Sequence, residues 1–216
     1  VGGPAATQAA LAARALAEMG KQGLGPSARD ATAAMSCCLQ CGAPEEAVRV
    51  FEAWEPRVDG DARFYNAALR AALAVGGGGG GGGVLGAMEA AGVPRDRWTY
   101  AHLARGLAAE GDAAGVERLI AELPAEEAAM AMTKNALVQA HVAAGDAAGA
   151  LEAALEVFPD GERTEETGRL LREAFRHSSS MQDSGQEKGA KFPTSRAPIS
   201  VVFHSFWLIF GRVIIS

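Results

Sequence analysis

An all-α solenoid of tandem helix–turn–helix units is the fold this sequence predicts, and three observations carry it. Glycines that close a helical pattern recur at Gly42, Gly76, Gly111 and Gly145, at spacings of 34, 35 and 34 residues. A fixed period of that length marks a repeat array. An apolar residue stands seven or eight positions before each glycine, namely Met35, Leu69, Leu103 and Leu137. After three of the glycines a second amphipathic run follows, at 44–55, 112–123 and 146–158, with Val48, Phe51, Leu119, Leu151 and Leu155 at helical steps. Composition agrees: 49% of residues are hydrophobic but only 6% aromatic, so the core is built from Ala, Leu and Val on closely approaching helices.

In chain order, 1–27 reads as the trailing second helix of a repeat. Full repeats follow at 28–61, 62–96, 97–130 and 131–163, and 164–177 is the leading helix of a partial one. Each repeat glycine ends a first helix at positive φ, a conformation that costs a residue with a Cβ about 1 kcal/mol or more. Two three-turn helices cannot bury their own apolar faces, so each pair needs neighbours stacked on both sides. The eight glycines 76–83 replace the turn and the start of the second helix in repeat 62–96. Seven of them beyond the turn forfeit about 6–7 kcal/mol of helix propensity, so that helix is expected to start late, near Val84, and this repeat to be the weakest link. No strand precedes the run and no Gly-Lys-Ser/Thr follows it, so it is not read as a phosphate-cradling loop. Residues 178–216 lose the alanine-rich register and are expected to form a disordered non-repeat tail. Within that tail 199–216 is apolar, but His204 and Arg212 interrupt it and no membrane span is assigned.

The same residues exclude several functions. Cys37, Cys38 and Cys41 lie too close together to staple distant parts of the chain, and without a nearby His they make no closed zinc site. They read as small buried hydrophobes. His102, His141 and His177 fall in different repeats with no nucleophile or carboxylate at a catalytic spacing, so no enzyme and no cofactor is expected. A net charge of -6 is the wrong sign for a generally sticky nucleic-acid binder, and any such role requires a local basic surface. The chain opens on Val1 rather than Met, the pattern of a fragment, so targeting is not read.

The stretch Phe64-Tyr65-Asn66-Ala67-Ala68-Leu69, then Gly76, then Met88-Glu89-Ala90-Ala91-Gly92-Val93-Pro94-Arg95-Asp96 resembles a pentatricopeptide repeat over its full 35 residues. The same opening recurs at Trp98-Thr99-Tyr100 and Thr133-Lys134-Asn135, and the same closing at Glu18-Met19-Gly20. The resemblance covers 1–177 and implies a right-handed α-solenoid whose first helices line a groove for single-stranded RNA. It also implies a mitochondrial or chloroplast location and a role in organellar RNA processing, stability or translation. The alternative is a tetratricopeptide-type scaffold, also of 34-residue helix pairs, that binds peptides instead of RNA.

Charge is segregated by face in a way that fits the first reading. The expected first helices carry nine Arg or Lys against four Asp or Glu, although the chain as a whole is acidic. The basic residues are Arg29, Arg63, Arg70, Arg97, Arg105, Lys134, Arg169, Arg172 and Arg176, and a groove carrying them attracts phosphate. The resemblance implies that base choice rests on the residue ten before each glycine and the last of the repeat. Those pairs are Thr32 with Asp61, Asn66 with Asp96, Ala101 with Met130 and Asn135 with Arg163. It further implies guanine for the first and uracil for the second, while Ala101 with Met130 offers no side-chain hydrogen bond and is indifferent. The bases would be clamped by Arg29, Arg63, Trp98, Met132 and Glu165, of which Trp98 is the natural stacking platform.

Overall fold

The computed structural model describes residues 4–128, 131–157 and 164–183, and among these there is no β-strand. The helices are α1 (Pro4–Lys21), α2 (Ala28–Gln40), α3 (Pro44–Trp54), α4 (Ala62–Gly76), α5 (Gly82–Ala90), α6 (Arg97–Ala109), α7 (Ala113–Glu122), the single turn α8 (Ala125–Ala128), α9 (Ala131–Ala143), α10 (Ala147–Val157) and α11 (Glu165–Asp183). No helix among the described residues is long and apolar enough to cross a membrane. Segment 199–216 lies outside them. The helix α11 continues past residue 177, so the first residues of the expected tail are helical.

Local chemistry starts and stops each element. Ser27 caps α2 in a reciprocal box with Asp30, Asp61 caps α4 through the Phe64 N–H at 3.0 Å, and Asp112 and Asp146 cap α7 and α10 through Gly115 and Gly149. A side-chain acceptor there satisfies an amide that the helix leaves unpaired, and is worth about 1 kcal/mol. Gly42, Gly111 and Gly145 end their helices at φ of +67°, +75° and +74°, where the 34-residue period placed them.

The remaining turn departs from expectation. α4 continues through Gly76 and the left-handed residue is Gly77, at φ +64°. In an unbroken glycine run any member takes that conformation at no steric cost, so the turn can move by one residue. Gly77–Gly81 then wind as a 3-10 helix, and α5 begins at Gly82, earlier than Val84.

Packing follows one rule. The first helices α2, α4, α6, α9 and α11 each pack on the next, and α3, α5, α7 and α10 pack behind α2, α4, α6 and α9. α1, α3, α7 and α10 also pack on the following first helix, whereas α5 has no comparable packing on α6 and the 3-10 glycines take its place. Alanines with no exposed surface, among them Ala31, Ala47, Ala68, Ala104 and Ala150, let the backbones approach, and Phe64, Met35, Leu69, Val116, Val138 and Leu171 fill the spaces between.

The glycine run is thus close-packed in part. A Cβ on Gly80 would lie 2.4 Å from the Ala72 carbonyl oxygen, whereas one on Gly83 meets nothing within 4 Å. Gly80→Ala is expected to destabilise the chain by about 1–3 kcal/mol, because backbone has to move. Gly83→Ala, inside α5, should stabilise it by up to about 1 kcal/mol. Urea unfolding of the two variants checks this, and a shift of the same sign in both would refute the packing just described.

Candidate functional site

A groove of about 640 Å³ lies between α2, α4 and α6. Thr32 and Ser36 line it from α2, Arg63, Asn66 and Arg70 from α4, and Asp96, Arg97, Trp98 and His102 from the start of α6. A second hollow of about 290 Å³ shares Arg70 and His102 and runs on to Arg105 and to Gln139 of α9. Seven of the residues singled out from sequence therefore meet in one place: Thr32, Arg63, Asn66, Arg70, Asp96, Arg97 and Trp98. Arg105 joins them through the adjoining hollow. Asp61, Asn135 and Lys134 line neither.

The expected readers Asn66 and Asp96 are joined directly. Asn66 Nδ2 donates to Asp96 Oδ1 at 3.0 Å, and the Thr99 hydroxyl donates to Asn66 Oδ1 at 2.8 Å while accepting the Asp96 N–H at 3.1 Å. Asp96 Oδ1 also takes the N–H groups of Trp98 and Thr99, each at 2.9 Å, capping α6. Burial raises the Asp96 pKa, but the backbone N–H of Thr99, the side chains of Asn66 and Thr99 and the N–H of Trp98 outweigh it and hold the carboxyl below its usual range. All these bonds fall on Oδ1. Those bonds leave the second carboxylate oxygen, an acceptor, and the second amide hydrogen of the buried Asn66, a donor, without a partner among them.

The same joint recurs one period later. Asn135 Nδ2 donates to Thr164 Oγ1 at 2.9 Å and the buried Thr167 hydroxyl donates to Asn135 Oδ1 at 2.6 Å. Between the two lies a gap: position 101 is a fully buried alanine, and the hydroxyl of Thr133, equivalent to Thr99 and Thr167, is buried with no hydrogen-bond partner among the described residues. Sequence reasoning singled out the asparagines and missed the threonines. The signal was present, since Thr99, Thr133 and Thr167 are spaced by 34 residues.

Thr32 and Asp61 are not joined. The Thr32 hydroxyl donates to the Ala28 carbonyl at 2.7 Å and Asp61 is engaged by Phe64 N–H. Where Thr99 stands in α6, α4 has Phe64, which offers no hydroxyl. Ala101 has no exposed surface and reaches no ligand. Its expected companion Met130, and Arg163 beside Asn135, lie outside the described residues.

Trp98 is 44% exposed, and the Arg97 guanidinium sits over its ring, 5.5 Å from the centroid. Arg63, Arg70 and Arg105 are exposed, and no carboxylate of the described residues lies within ion-pair distance of any of them. Arg169 differs: it pairs with Glu166 and Glu173 on its own helix and adds little positive potential. His102 was not singled out from sequence, yet burial, then Arg70 and Arg105, push its pKa down to about 4, with Asp96 opposing. Cys38 is buried and its thiol pushed up to about 11 by burial, and among the described residues no group of His, Cys, Asp and Glu is placed to hold a metal ion.

No protein-family model matches the chain, and no curated protein matches it in sequence.

Proposed function

We propose that the chain is a right-handed solenoid of pentatricopeptide-type repeats that binds single-stranded RNA in the groove of its first helices and does no chemistry on it. Stacking of α2, α4, α6, α9 and α11 in series, each backed by a second helix or, for α11, by none described, supports that architecture. One observation carries the function: Arg63, Arg70, Arg97, an exposed Trp98 and the joined pair Asn66–Asp96 share a single groove. Guanidinium groups meet phosphates, an exposed indole stacks on a base, and a paired donor and acceptor meet a base edge. The donor left on Asn66 and the acceptor left on Asp96 match the carbonyl and imide N–H of uracil, the base the repeat resemblance implies. Such a protein acts by occupying a transcript, in keeping with the organellar RNA roles of that repeat class.

Binding of fluorescent oligouridylate across a salt series tests the reading. Three or four phosphate contacts should make log affinity fall with log salt at a slope of about -2 to -3. Absence of binding at low salt would overturn it.

A further inference from the structure

The triangle of Arg70, His102 and Arg105 is unexplained by base reading. Arg70 on α4 and His102 on α6 line both the main groove and the adjoining hollow, and Arg105 lines the hollow one turn further along α6. Neither arginine has a carboxylate within ion-pair distance among the described residues, although Asp96 acts on His102 and Glu166 of α11 on Arg105 at longer range, so two guanidinium groups flank a half-buried imidazole. The remaining lining of the hollow is neutral: Leu39, Leu73 and Gln139 are there, and Gln139 is what α9 contributes.

We infer that Arg70, His102 and Arg105 form a phosphodiester site, which takes one backbone phosphate of the bound strand and protonates His102 as it fills. The inference rests on the RNA reading for the source of the phosphate. An oxyanion held between two fork-shaped donors is the arrangement arginine favours. The anion also reverses the field that the imidazole feels. In the empty site burial, Arg70 and Arg105 all oppose a charge on His102, and Asp96 alone of the neighbouring groups favours it. A bound anion offsets the arginines and accepts a hydrogen bond from the imidazolium, so the proton becomes welcome.

The sign follows from linkage. A group that is neutral in the free protein and protonated in the complex makes affinity rise as pH falls through its bound pKa, until the free form also protonates near 4. With the bound midpoint restored to the ordinary imidazole value of 6.5, affinity at about pH 5.5 should exceed that at about pH 7.5 by roughly tenfold. Oligouridylate is the ligand of choice, because uracil does not titrate in that range.

Two measurements test the site on the whole chain. The first is the NMR titration of the His102 ring, assigned by its loss in His102→Gln, in chloride, in sulfate at equal ionic strength, and with oligouridylate. The second is oligouridylate affinity against pH for wild type, His102→Gln and Arg70→Gln. Expected are an upward move of the His102 midpoint with sulfate or RNA, a pH dependence that flattens in His102→Gln, and weaker binding at every pH in Arg70→Gln. RNA binding with an unmoved His102 would overturn the site and spare the RNA reading. A response to sulfate without any RNA binding would keep the anion site and overturn the RNA reading. No response to either anion overturns the site outright.

Discussion

Truncating Phe64 to alanine should lower unfolding stability by about 3–5 kcal/mol, the largest loss expected from any single core position in this chain. The ring has no exposed surface. It lies 5.4 Å from the Phe51 ring of α3 and 5.3 Å from the Tyr65 ring, edge-on to the latter. About half of the buried core is alanine, and the adjoining Phe51 and Tyr65 are rigid rings, so the neighbours relax only in part into the space. The cost accordingly includes the cavity as well as the lost transfer energy. The same ring fixes the approach of the chain to α4, since a Cβ on Gly60 would lie 2.7 Å from it. Phe64 also precedes Asn66 on α4 and is the residue whose N–H Asp61 caps, so its loss loosens the helix that carries Arg63, Asn66 and Arg70. Urea unfolding followed by far-UV circular dichroism measures the effect, with Phe64→Leu as the milder control, expected to lose less. A cost below about 1 kcal/mol for the alanine variant would show that the groove side of α4 is held by something other than this aromatic joint.

Legibility from sequence tracked the range of the interactions. The first helices read from the period at 28–40, 97–109 and 131–143 coincide with α2, α6 and α9, because a helix is set by apolar spacing, a cap and a glycine, all within a few residues. The glycine run defeated that reading at its turn for an equally local reason. Identical residues carry no information about which of them turns, and packing of Gly81 against Leu69 and Leu73, not propensity, holds the 3-10 segment in place. Asn66 and Asp96 were visible as a pair through the repeat frame. Their partner Thr99 was not, because the value of its hydroxyl depends on burial between α4 and α6, a property of the stacked helices and not of either alone. His102 was passed over on the same ground. As a lone histidine in sequence it suggests nothing, and only the stacking of α4 on α6 puts it near Arg70.

Asn66 is expected to show two separable effects on substitution, one on the fold and one on the ligand. Asn66→Ala removes one of two acceptors of the Thr99 hydroxyl, which has no exposed surface and keeps Asp96 Oδ1 at 3.0 Å, and one donor to Asp96. Losing one such hydrogen bond costs about 0.5–1.5 kcal/mol, and that loss is counted once when both of its partners go together. The double variant Asn66→Ala, Thr99→Val should therefore be more stable than the sum of the two single losses, with a coupling of about 0.5–3 kcal/mol. The Thr99 hydroxyl keeps its bond to Asp96, so Asn66→Ala should still fold. Its effect on RNA is of a different kind. If the amide hydrogen and carboxylate oxygen left over read a base, Asn66→Thr, which makes this pair a copy of Thr32 with Asp61, should move the preference there from uracil toward guanine. A good base contact is worth about 1–3 kcal/mol of discrimination, so the change should reach tenfold or so in competition. The salt slope should stay as in wild type, because no phosphate-facing charge is altered. Competition among oligonucleotides that differ only at that base distinguishes the roles: a stability loss with an unmoved preference would make Asn66 a joint between α4 and α6 and nothing more. RNA affinity would then reside in the arginines and Trp98, and the strand would be held without being read.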